Sequence, residues 1–151
     1  MAAGCGDGAI ALWGAGGELV ASLGDGEGFG GVLSLALLPD GQLAAGYGTR
    51  GDTSVRLWDV RRRVLDAVLT GHALSVYALA VLPDGRVLSG GGDELKVWDE
   101  RALYVRGGEA TAECAATLQV PVGVSIVFAL AVLRDGSVAS AHHDGHLLVW
   151  G

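Results

Sequence analysis

A chain of 151 residues with 50% hydrophobic content is long and apolar enough to bury a core, which excludes wholesale disorder. Its 26 glycines against 3 prolines, with lysine scarce and valine and leucine frequent, favour many short strands joined by tight turns, an all-β class. A formal net charge of −7 repels phosphate backbones and anionic lipid surfaces, so neither nucleic acid nor a membrane is an expected partner.

The first residues, Met1 to Asp7, have no basic start and no apolar run of signal-peptide length. Cys5 and Cys114 lie far apart without a CxxC or a histidine at ligand spacing, which argues against a disulfide framework and a zinc site. A reducing, intracellular location is therefore expected, cytoplasmic with the nucleus left open. The opening unit reads as two strands, Ala9 to Trp13 and Glu18 to Leu23, with the hairpin that should precede them missing. Gly24 to Gly31 has the glycine density of a phosphate loop. A strand follows it, however, no Lys-Ser/Thr ends it, and Asp25 and Glu27 repel phosphate, so it reads as a connection between strands.

An internal repeat then dominates. Val32 to Gly46 aligns without gaps to Val76 to Gly90 and to Val127 to Ala141, and the last two share 10 of 15 residues. Each copy is an apolar run, an Asp-Gly pair and a second apolar run. This pattern predicts hairpins turning at Asp40-Gly41, Asp84-Gly85 and Asp135-Gly136. A third strand ending in tryptophan follows each one: Ser54 to Trp58, Glu94 to Trp98 and His146 to Trp150. Beyond Trp58, the cluster Arg61, Arg62 and Arg63 reads as a solvated turn. Fourth strands are expected at Val64 to Leu69 and Glu113 to Leu118. The uncharged segment Cys114 to Leu133 is long enough to cross a bilayer, but Thr117, Gln119, Pro121, Gly123 and Ser125 interrupt it and its second half is in register with the repeat.

The tryptophans at 13, 58, 98 and 150 are separated by 45, 40 and 52 residues, near the repeat of a propeller blade, with room for an insertion in the last interval. The run Gly71-His72, Pro83-Asp84-Gly85, Ser89, Asp93 and Trp98-Asp99 resembles a complete WD40 repeat, and the resemblance extends over essentially the whole chain. It implies a partial β-propeller of about 3 to 3.5 four-stranded blades and about 13 strands. The units are 1–23 (incomplete), 32–69, 76–118 and 127–151 (incomplete), in one domain.

The same resemblance implies a hydrogen-bonded tetrad of His72, Ser89, Asp93 and Trp98 within one blade. The other units match it in part. The last keeps Ser140, Asp144 and Trp150, with Gly123 where the histidine belongs. The second keeps Asp52 and Trp58 with Ala45 at the serine position, and the first keeps Asp7 and Trp13 with Ala3 there. Three readings of the incomplete ring stand beside one another: a fragment, which is preferred, two copies that complete one ring, or missing blades supplied by another chain.

No Gly-x-Ser-x-Gly, His-Glu-x-x-His or Cys/His pairing is present, so no enzyme activity and no cofactor are expected. His142, His143, His146 and Asp144 form the densest polar cluster, but Asp144 has a structural place by analogy and no further ligand lies nearby in sequence. A metal is not expected. The resemblance implies a protein-binding scaffold or adaptor that engages a protein or peptide through loops on one face. Phe29, Tyr47, Tyr77, Phe128 and His143 are the candidate contacts. Gly71-His72 through Trp98, with Ala116 to Pro121 and Val124 to Phe128, is also similar to the propeller of the phospholipase-A2-activating, ubiquitin-binding proteins. That similarity implies ubiquitin as an alternative partner. A non-functional propeller fragment is a further alternative.

Overall fold

The computed structural model describes residues 1–24, 30–49, 51–99, 103–106 and 109–151. Among them every regular element is a strand, and no helix is long and apolar enough to cross a membrane. The first sheet holds β1 (Ala2–Gly4), β2 (Ile10–Trp13) and β3 (Leu19–Leu23). The second holds β4 (Gly31–Leu37), β5 (Leu43–Gly48), β6 (Val55–Asp59) and β7 (Val64–Leu69). In the third, β8 (Val76–Val81), β9 (Val87–Gly91) and β10 (Glu94–Trp98) are followed by a hairpin of β11 (Tyr104–Arg106) and β12 (Glu109–Thr111) before β13 (Cys114–Gln119) closes the sheet. The fourth contains β14 (Val127–Val132), β15 (Val138–His142) and β16 (Leu147–Trp150).

Two expectations are corrected. The opening unit is not limited to two strands, because Ala2–Gly4 pairs antiparallel with Ile10–Leu12. The total therefore exceeds the thirteen strands expected, by β1 and by the hairpin that occupies the longer last tryptophan interval. The segment Cys114 to Leu133, weighed against a membrane span, is β13, a loop and the whole of β14.

The Asp-Gly turns explain why the hairpins form where they do. Gly41, Gly85 and Gly136 have φ of 92°, 91° and 86°, a region closed to most side chains. In each turn the aspartate carboxylate accepts the N–H two residues on: Gln42 from Asp40, Arg86 from Asp84, Ser137 from Asp135. A carbonyl and an N–H of Leu38, Leu82 and Leu133 close the same loop in each copy. Because the turn fixes the register, alternate residues of each strand go to opposite faces of the sheet.

Consecutive sheets pack face against face with their inner strands β1, β4, β8 and β14 side by side, forming an arc in which the first and fourth sheets do not meet. The core is three apolar layers between neighbouring sheets. Ile10, Leu23, Val32, Ala45, Tyr47 and Trp58 fill the first, and Leu57, Leu69, Val76 and Trp98 belong to the second. Leu88, Leu95, Val127 and Val138 belong to the third, with Trp150 against them. Each of these tryptophans lies on the preceding sheet. Burying an indole of roughly 200 Å² at about 25 cal/mol/Å² favours the folded state by about 5 kcal/mol. Trp13, in the first sheet, is 39% exposed. Leu147 and Val149, on the outward face of the fourth sheet, are exposed as well.

Candidate functional site

In antiparallel sheets whose strands run in order, the connections from second to third strand and from one sheet to the next share one end. The Asp-Gly turns and the arginine turn at 61–63 share the other. The histidines and all the tetrad residues lie at or below the first end, called here the upper end. Three of its turns are built alike: Asp7, Asp52 and Asp144 each accept the N–H two residues on, from Ala9, Ser54 and His146. In the third sheet the interval from the aspartate to the tryptophan, Asp93 to Trp98, is one residue shorter than in the other three, and only Gly92 and Asp93 lie between β9 and β10.

That deletion decides which carboxylate enters the third sheet. Ser89 Oγ lies 2.6 Å from His72 Nε2 and accepts a 2.7 Å hydrogen bond from Trp98 Nε1, and all three residues are buried. Asp93 does not join them: it is exposed, and only its backbone carbonyl is engaged, by Val120 N–H. Glu94 comes to the histidine in its stead, with Oε1 3.2 Å from His72 Nδ1 but out of line for a good hydrogen bond. The longer side chain reaches in from a position on β10. Glu94 Oε2 pairs with Lys96 Nζ at 3.1 Å, and Lys96 donates to Thr117 Oγ1. Burial pushes His72 down to about 4, against Glu94, which raises it, and with Lys96, which lowers it further. The ring is therefore neutral at pH 7, and its contact with Glu94 is not a charged pair.

The fourth sheet contains an equivalent network from an unexpected source. Ser140 Oγ accepts from Trp150 Nε1 at 2.8 Å and lies 2.9 Å from His142 Nε2, while His142 Nδ1 donates to Ser125 carbonyl oxygen at 2.7 Å. Gly123 sits in a turn with φ of 90°. The histidine comes from the serine's own strand, two residues on and hence on the same face. Asp144 stays outside this network. It accepts Ser125 N–H at 3.0 Å and faces His146 Nδ1 at 3.0 Å. Partial desolvation raises its carboxyl, but the hydrogen bonds from His146 and Ser125 prevail and hold it at about 2.

The second sheet uses that strand position differently. Ala45 and Trp58 are buried, and Tyr47, two residues beyond Ala45, is fully buried between the first two sheets. Its phenol donates to Gly8 carbonyl oxygen at 3.3 Å, and Arg56 lies 4.6 Å from its ring centre. Burial pushes the phenol up, opposed by Trp58 and Arg56. Asp52 pairs with Arg56 at 2.7 Å and accepts from Ser54 Oγ at 2.7 Å. Tyr47, offered by the sequence as a partner contact, is thus a core residue, because strand alternation points it inward.

The corresponding position is Gly91 in the third sheet, where an added Cβ would stand 2.4 Å from Ser75 carbonyl oxygen and 3.4 Å from His72 Nδ1. The ring beneath the upper end therefore comes from the connecting loop where this strand position is glycine. It comes from the strand itself where the position is Tyr47 or His142. Trp58 Nε1 reaches the Tyr47 hydroxyl only out of line, with Ala45 standing in place of the serine. Ala45→Ser is expected to stabilise the protein by about 1 kcal/mol, read as a higher denaturation midpoint at unchanged slope.

Above the networks lies an accessible aromatic cluster. Inner strands β4, β8 and β14 each have a register irregularity at their second apolar residue: between Val32 and Ser34, between Val76 and Ala78, and between Val127 and Ala129. A bulge re-aims the side chain it contains, and the three re-aimed residues are Leu33, Tyr77 and Phe128. Leu33 is 40% and Phe128 47% exposed, and Tyr77 is half-buried. Tyr77 meets Phe128 edge to face at 5.1 Å between ring centres, and Phe128 meets exposed His143 at 5.5 Å. The structure brings these three of the five candidate contacts together. Phe29 lies outside the described residues, as does most of the Gly24 to Gly31 segment. Leu33 was not anticipated, although its alignment with Tyr77 and Phe128 in the repeat would have revealed it.

The family model for the WD domain, G-beta repeat, matches residues 17–59 and 63–99. A curated relative, transducin beta-like protein 3 of Bos taurus, is 37% identical over 105 residues. The match takes in 66% of this chain and 12% of that protein, so the chain spans about an eighth of the relative's length. The crystal structure of the WD40 beta propeller domain of Doa1 superposes with a TM-score of 0.78 at 18% identity, over 99% of this chain and 46% of that one.

Proposed function

The chain belongs to the WD40 repeat family, and from that premise we propose that it is a protein-binding scaffold or adaptor whose contact surface is the upper end around Tyr77, Phe128 and His143. WD40 propellers generally mediate protein interactions. The observation that carries the location is the aromatic ladder. Three rings on two neighbouring inner strands and one turn are stacked edge to face, with Phe128 half exposed. A large apolar ring left in water at a rigid, bulge-fixed position is the kind of residue that dominates binding energy once covered. The proposal includes neither catalysis nor a cofactor.

The test is affinity purification with the tagged chain, the Phe128→Ala variant and, as a control at the opposite end, Arg62→Ala. Proteins bound through the upper end are expected to fall roughly thirtyfold in affinity with Phe128→Ala, the loss of one hot-spot ring of about 2 kcal/mol. They should be unaffected by Arg62→Ala. Both side chains are exposed, so the melting temperature should hold in each. Partners that survive Phe128→Ala and are lost with Arg62→Ala would move the surface to the other end. Ubiquitin, the partner implied by the similarity of the last two units to ubiquitin-binding propellers, is the first defined protein to titrate against the same pair of variants.

A further inference from the structure

Resting on that reading of the upper end, we infer that the segment docking on the Tyr77, Phe128 and His143 ladder is a basic peptide, one that places a lysine or arginine side chain against the exposed Phe128 ring. The feature that docks is the aromatic patch, and the distribution of charge around it selects the partner. Of the described carboxylates in the upper connections, Asp52 is neutralised by Arg56 and Glu94 by Lys96. Asp7, Asp93 and Asp144 are exposed at the same end, and Asp144 is held ionised. Among the described residues of these connections there is no lysine or arginine.

At the opposite end the exposed Arg61, Arg62, Arg63 and Arg134 are interspersed with exposed Glu18, Asp40, Asp84 and Asp135, so that end is mixed in sign where the described residues of the upper connections are acidic. An approaching basic segment is therefore attracted to the aromatic end, while the mixed charges of the other end largely offset one another. At the ladder, a cation is attracted to the face of an exposed phenyl ring, and Phe128 is more exposed than Tyr77. An acidic segment would meet the same ring in a repelling field, and a neutral one would gain only burial.

The experiment is selection of random dodecapeptides, displayed on phage, against the full chain and in parallel against Phe128→Ala. Sequences enriched on the parent and not on the variant should have an excess of lysine and arginine over acidic residues. Synthetic copies should lose roughly tenfold or more in affinity between about 50 mM and about 500 mM salt, because the attraction is screened. Asp93→Asn, at an exposed position, should weaken those copies severalfold at the lower salt and make little difference at the higher. Phe128-dependent peptides that are neutral or acidic, or whose binding ignores salt, would overturn the basic partner and leave the binding face standing. A selection that enriches nothing dependent on Phe128 would sink both.

Discussion

Ser89→Ala is expected to destabilise the protein by about 2–4 kcal/mol, more than any other single-atom deletion at the upper end. One hydroxyl oxygen receives the Trp98 indole N–H at 2.7 Å and lies 2.6 Å from His72 Nε2, and both partners are buried. Alanine leaves two polar groups without a partner, in a layer too tightly packed for water to enter cheaply. Set against total stabilities of about 5–15 kcal/mol, such a loss removes a large share. Ser140→Ala should cost less. His142 keeps its bond to Ser125 carbonyl oxygen, and Trp150 is only half-buried, so water can replace the missing acceptor. Urea denaturation of both variants checks the order; a Ser89→Ala loss below about 0.5 kcal/mol would mean that the network is ornamental and the apolar layer alone holds the third sheet.

The hairpins were legible because their signal is local. Asp-Gly fixes the turn through one carboxylate and one glycine, and the apolar alternation on either side then has a single register. The tryptophan strands and the inserted stretch in the last interval were legible for a similar reason, since spacing alone exposes them. β1 was not, because Ala2–Gly4 has no bulky apolar residue and becomes a strand only by pairing with Ile10–Leu12. The site was legible in outline and misread in detail. A tetrad read by linear position assigns Asp93, but the short turn displaces that residue outward and brings in Glu94, and a one-residue deletion is invisible to a motif with elastic spacing. His142 and Tyr47 were missed as network members for a different reason. Their signal is period two along a strand, Ser140 to His142 and Ala45 to Tyr47, and it competes with a motif that seeks the histidine in the preceding loop. Tyr47 as a surface anchor failed on the same alternation, which turns it into the layer between two sheets.

Acidification should weaken the protein in the window set by His72. Its ring is pushed down by burial to about 4, and the unfolded chain returns it to about 6.5. Between those values the unfolded state binds a proton that the folded state refuses. Stability is therefore fully present above about pH 6.5, falls as the pH drops, and levels off below about 4 as the folded ring also protonates. The fall attributable to this one group is roughly 3 kcal/mol. Glu94, at 3.2 Å, limits it by favouring the charged ring, and Lys96 extends it. Asp144 acts lower: with its carboxyl at about 2, its contribution holds above about pH 4 and is lost only as the pH falls through 2, so the two do not overlap. Urea midpoints from pH 7.5 to 4 on the parent chain and on His72→Gln separate the effect from other titrations. The variant should start less stable and show a much flatter profile in this window. Parallel profiles would assign the acid sensitivity elsewhere and would mean that Glu94, rather than burial, governs the charge on the ring.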